Sequence, residues 1–133
     1  MTKERIRQLY GDYEKALLKL EEILKEKPVK GSIVVDATIK RFEFTYELAW
    51  KLMQKILDHE GIEVNSPRSA IKESFREKII TDGQGWIEIL EARNRTSHIY
   101  NETQALEICR DIENKFYDNF RALRDSASNF LKQ

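Results

Sequence analysis

Arg41-Phe42-Glu43-Phe44-Thr45-Tyr46-Glu47-Leu48-Ala49-Trp50-Lys51 is the stretch on which the fold turns. Phe42, Tyr46, Ala49, Met53 and Ile56 recur at three- and four-residue steps, so on a helix they line up as one apolar stripe. Phe44, Leu48 and Leu52 add apolar surface beyond that stripe. A helix that is apolar over more than one face needs neighbours on more than one side, which makes this the central helix of an all-α protein. Its dense aromatics read as core packing rather than as a platform for stacking bases.

Outward from there, the central helix is expected to start between Ser32 and Asp36, either of which can cap it, and to reach His59 ahead of Gly61. Upstream, Ile6, Leu9, Tyr13, Leu17, Leu20 and Leu24 mark a first helix from about Lys3 to Lys27, stopped by Pro28 and turned at Gly31. The Lys, Glu and Arg between these apolar positions form a solvated face. Downstream, Ser66-Pro67 is a restart signal, with Ser66 as cap and Pro67 in the first turn. A short third helix should reach about Ile79 with Ala70, Ile71 and Phe75 facing inward. Thr81-Asp82-Gly83-Gln84-Gly85 reads as a connector, since its two glycines match neither the P-loop nor the dinucleotide fingerprint. A fourth helix is expected from Trp86. A fifth starts near Asn101, where Asn101 and Gln104 have capping-box spacing, and runs to the C-terminus along Ile108, Ile112, Phe116, Phe120, Leu123 and Ala127. Phe130 and Leu131 keep that helix apolar to its end, which invites a partner chain.

The 133 residues suit one domain, 1–133, with a modest core, and 41% apolar content argues against disorder. The charges cancel, 23 Lys and Arg against 23 Asp and Glu, so any nucleic-acid contact must come from a local basic cluster. Cys109 is alone and cannot form an internal disulfide; we read it as a small buried hydrophobe in a reducing compartment. Met1-Thr2-Lys3-Glu4-Arg5-Ile6 is charged, without an apolar leader, and no run of about 18 apolar residues occurs. We therefore expect a soluble, cytoplasmic protein with no membrane contact.

A metal site finds little support, because His59 and His98 are far apart and neither HExxH nor paired cysteines occur. No cofactor motif is present, and the absence of GxSxG disfavours a serine hydrolase. What remains is Arg93-Asn94-Arg95-Thr96-Ser97-His98-Ile99-Tyr100. Arginine forks onto phosphate and histidine exchanges protons near neutrality. Together they suffice for metal-free RNA cleavage, in which a base helps the 2'-hydroxyl attack the adjacent phosphate and the guanidinium stabilises the added charge. On an unbroken helix Arg93 and His98 would stand about 140° apart. Either the helix breaks between them or a second copy of the motif completes the site across a two-fold axis.

Arg93, Asn94 and His98 resemble the Rx4-6H motif of HEPN domains, and the extension to Tyr100 resembles the Rx4HxY form of HEPN proteins paired with minimal nucleotidyltransferases. The stretch from Arg41 to Lys51 is similar to the second-helix signature of nucleotidyltransferase substrate-binding proteins. The resemblance implies an antiparallel up-down bundle of about five helices, all-α and of HEPN type, that forms a homodimer with its motifs facing one another. It implies a toxin of a toxin-antitoxin pair, a metal-independent RNase with tRNA among its candidate substrates, neutralised by a cognate nucleotidyltransferase that transfers AMP to Tyr100. Arg93 would bind phosphate, His98 transfer protons and Asn94 support the site; Arg95, outside the motif, could contact RNA backbone. The alternative is a noncatalytic substrate-binding subunit of a two-component nucleotidyltransferase.

Overall fold

Five helices account for the regular structure among the residues described by the computed structural model, 3–133. Met1 and Thr2, which open the charged N-terminal stretch, lie outside the described residues. The helices are α1, Lys3–Leu24; α2, Ile33–His59; α3, Pro67–Arg76; α4, Gly83–Thr96; and α5, residues 102–131. The central helix is α2, which packs against each of the other four.

Hydrogen bonds fix the directions. Arg41 donates to the Lys19 carbonyl at 2.7 Å and Thr45 to the Ala16 carbonyl at 3.4 Å, so α1 and α2 run antiparallel. The buried Tyr13 hydroxyl donates to the Phe120 carbonyl at 2.6 Å, and Tyr117 donates to Glu21, so α1 and α5 also run antiparallel. At the centre the Phe42 ring stacks on Phe116 at 5.8 Å between centroids, and Trp86 meets Phe120 edge-on at 5.5 Å.

The last helix carries a wide turn. Ile108, Ile112, Phe116 and Phe120 follow at four-residue steps, and on an ideal α-helix each such step drifts about 40° around the axis. Three steps would carry Phe120 about 120° away from Ile108, yet all four are buried. The π-helical turn Ile112–Phe116 winds less per residue, takes up this excess rotation and keeps one face against the core.

Several boundaries and faces differ from those expected. The first helix ends at Leu24 rather than Lys27; Gly31, at φ 76°, then approaches the Glu102 carboxylate so closely that a Cβ would stand 2.8 Å from it. The third ends at Arg76 rather than Ile79. Its carbonyls are closed by two bonds, Ile79 N–H to Ser74 O at 2.8 Å and Lys78 N–H to Phe75 O at 3.1 Å, with Lys78 at φ 63° in the left-handed position usually held by glycine. Replacing Lys78 by glycine is expected to raise stability by about 1 kcal/mol, read by thermal or denaturant unfolding. Phe75 does not face inward: it is 53% exposed, while Ser74 takes the buried place. Phe44 is likewise 62% exposed, where core packing was expected.

The fourth helix starts at Gly83, three residues before Trp86, so the glycine stretch is its first turn rather than a connector. Asp82 caps it by accepting from Gly85 N–H at 2.9 Å. At Gly83 a Cβ would press on the Phe75 ring, which is why the turn is bare. Phe130 and Leu131 pack partly buried against the chain's own core, Phe130 edge-on to His59 at 5.3 Å. No helix among the described residues is long and apolar enough to cross a membrane.

Candidate functional site

The α4 helix stops at Thr96, with Ser97 as its C-cap. Arg93 therefore belongs to the last helical turn and His98 to the turn beyond it, where the His98 N–H is held by the Arg95 carbonyl at 2.8 Å. The helix breaks between the two residues, one of the two arrangements their spacing allowed.

Arg93 is anchored toward α2. Its Nη1 stands 3.3 Å from a Glu43 carboxylate oxygen, and its Nε 3.8 Å from Glu47. Nη1 also donates to Thr96 Oγ1 at 3.2 Å and Ser97 Oγ at 3.4 Å. Thr96 in turn donates to the same Glu43 oxygen at 2.7 Å, and Trp50 Nε1 donates to Glu47 at 3.1 Å. The guanidinium is thus gripped on one side. No hydrogen bond or ion pair among the described residues reaches Nη2, and this edge of the fork can meet a phosphate oxygen.

Glu43 and Glu47 are the members of this cluster that sequence reading passed over. The signal in the sequence is faint: two glutamates four apart on a helix repel by a few tenths of a kcal/mol, which a cation from another helix relieves. Arg93 is that cation.

His98 is exposed, and its Nδ1 lies 3.4 Å from the Tyr100 hydroxyl. Tyr100 is 81% exposed, but its backbone is fixed, because its N–H donates to Gln104 Oε1 at 2.9 Å. Asn101 caps α5 by accepting from Gln104 N–H at 2.9 Å. Only half of the expected capping box forms: the Gln104 side chain turns to the Tyr100 N–H rather than back to that of Asn101. Arg95 and His98 share a recess of about 190 Å³ with Ile99, Gln104, Glu107 and Ile108. Asn94 is exposed on α4. No hydrogen bond joins Arg93 to His98 within the chain; Ser97, beside His98, is the nearest link.

Other chemistry is poorly served. No group of three His, Cys, Asp or Glu side chains lies together as a metal site among the described residues. Cys109 is buried against Val35, and burial pushes its thiol up to about 11, leaving almost no thiolate at neutral pH.

Residues 8–129 match the family described as nucleotidyltransferase substrate binding protein like. The chain belongs to this family. A Thermus thermophilus protein of known structure is 28% identical, with a TM-score of 0.74 over 91% of this chain and 99% of that one. A second structure, from Haemophilus influenzae, is described as revealing the fold of a substrate binding domain of a nucleotidyltransferase. It is 21% identical with a TM-score of 0.67 over 99% of this chain and 100% of that one, a likeness of fold. A Haemophilus influenzae protein (strain ATCC 51907 / DSM 11121 / KW20 / Rd) described as a probable ribonuclease HepT is 29% identical over 90 residues. Those residues are 64% of this chain and 61% of that protein's length. The all-helical architecture expected from the pattern is the architecture of the family.

Proposed function

We propose that this family member is a metal-independent endoribonuclease, the toxin of a toxin-antitoxin pair, with tRNA among its candidate substrates. His98 takes the proton of a ribose 2'-hydroxyl as that oxygen attacks the neighbouring phosphorus. The 5'-oxygen then leaves with a proton, and a 2',3'-cyclic phosphate remains. Arg93 binds the phosphate through the free edge of its guanidinium, Asn94 supports the site, and Arg95, in the recess with His98, follows the RNA backbone. The observation that carries this reading is the helix stop at Thr96, which leaves an exposed imidazole just beyond an anchored guanidinium.

The two side chains do not touch within one chain, and so the reading includes a homodimer in which the motifs of two copies face one phosphate, one His98 taking a proton and the other returning one. Light scattering at micromolar concentration is expected to report twice the chain mass; a monomer would remove the composite site. A cognate minimal nucleotidyltransferase silences the enzyme by transferring AMP to Tyr100.

One observation favours a second reading, a noncatalytic substrate-binding subunit of a two-component nucleotidyltransferase: Arg93 already faces two carboxylates, Glu43 and Glu47. Incubation of folded, unmodified protein with RNA in chelator separates the two. Cleavage supports the ribonuclease; intact RNA transfers the case to the binding subunit.

A further inference from the structure

A groove of about 470 Å³ runs between α1 and α2, outside the cluster around Arg93. Its floor is apolar: Ala16 below, with Leu48 and the 62% exposed Phe44 ring along one wall. Its rim carries Lys15, Lys19, Lys40 and Arg41 against the single acid Asp12. None of these four cations forms an ion pair within 4.0 Å among the described residues. In a chain whose charges cancel, this is a local excess of positive charge around an exposed aromatic ring. Arg41 is held in place by its bond to the Lys19 carbonyl at 2.7 Å, which leaves its other N–H groups oriented and available.

We infer that this groove holds a single strand of RNA, one base stacked on Phe44 and the flanking phosphates on the lysine and arginine rim. An aromatic face bordered by cations is the arrangement by which proteins bind single strands without reading their sequence. A stable protein partner needs on the order of 800 Å² from each side, and Phe44 with Leu48 offers far less apolar surface than that. Position points the same way. Phe44 follows Glu43 and Leu48 follows Glu47, so the groove lies about 100° around α2 from the carboxylates that hold Arg93, an arc of about 10 Å at the helix surface. Lys40 and Lys51, four residues before Phe44 and seven after it, are exposed along the ridge between. A strand with its cleaved phosphate at Arg93 can cross this ridge into the groove. The choice of RNA as occupant rests on the ribonuclease reading.

The test uses a fluorescent, fully 2'-O-methylated strand of about ten nucleotides, within the length such sites cover, bound to the full-length protein and followed by anisotropy. Phe44→Ala is expected to weaken binding about ten-fold and Phe44→Trp to preserve it. Replacing Lys15 and Lys19 by alanine is expected to flatten the dependence of log affinity on log salt by about 0.7 for each phosphate no longer neutralised. Unchanged affinity in Phe44→Ala overturns the inference. So does conversion of that variant to a monomer in light scattering, which gives the groove to an interface between copies. Loss of nucleotidyltransferase binding with strand affinity intact gives it to a protein partner and overturns the inference too. The strand cannot be cut, so binding through Phe44 by a protein that cleaves no RNA would support the groove while the ribonuclease reading falls.

Discussion

Purified protein, free of any nucleotidyltransferase, is expected to cleave RNA in the presence of chelator, and His98→Ala to lose that cleavage by about two to four orders of magnitude. A positioned proton-transfer group contributes rate on that scale, and no second group is placed to replace it. His98 is exposed, and the Tyr100 hydroxyl is the one hydrogen-bond partner of its side chain among the described residues, so truncation opens no buried cavity. The variant should unfold within about 0.5 kcal/mol of the parent, as is usual for surface changes, and lost activity would then be lost chemistry. Arg93→Ala is a poorer experiment, because it leaves Glu43 and Glu47 facing each other without their cation. DNA of the same sequence should resist cleavage, lacking the attacking hydroxyl. Undiminished cleavage by His98→Ala would end the mechanism, whatever the fate of Arg93.

Much of the bundle could be read from local rules because its helices are punctuated by residues with few alternatives. Ser66 and Pro67 start α3 as such residues must, and Ser66 with Ser69 forms a reciprocal cap. The π turn is an exception: Ile108, Ile112, Phe116 and Phe120 read as one regular α-helical stripe, and it is the structure that shows the wider turn among them. Periodicity fails where two neighbours compete for the same face. Phe44 and Phe75 fit apolar stripes, but Thr45 and Ser74 take the inward places, because a small residue lets helices approach where a ring would hold them apart.

The candidate site was legible by type and illegible by orientation. Arg93, His98 and Tyr100 stand out as residues, but nothing in their spacing tells that Arg93 turns to α2 while His98 turns to Tyr100 and the Arg95 recess. That division is decided by Glu43 and Glu47, about fifty positions earlier in the chain, and charge pairs across such separations leave only a faint trace in one sequence. The glycines before Trp86 show the converse. Read locally they are breakers, yet Asp82 turns them into a capped first turn, and Gly83 is needed because Phe75 presses on it.

Tyr100→Phe is expected to keep the ribonuclease activity of the parent and to escape silencing by the nucleotidyltransferase. In the unsubstituted protein, transfer of AMP joins the phenolic oxygen to the α-phosphorus of ATP; pyrophosphate leaves and the phenol proton passes to solvent. The modified oxygen is the one that stands 3.4 Å from His98 Nδ1. The added phosphodiester therefore sets a negative charge and a nucleoside beside the imidazole, where they repel and displace an RNA phosphate. Tyr100 cannot retreat with its backbone, which Gln104 and the Asn101 cap tie to the start of α5. Blocking the proton-transfer group should cost about a hundredfold or more in cleavage. Phenylalanine keeps the ring and the backbone bond but offers no oxygen to modify, so mass spectrometry should find AMP on the parent and none on the variant at this position. Cleavage measured with nucleotidyltransferase and ATP present should fall only in the parent. If Tyr100→Phe is silenced equally well, the partner acts by covering the α4 end rather than by modifying the tyrosine.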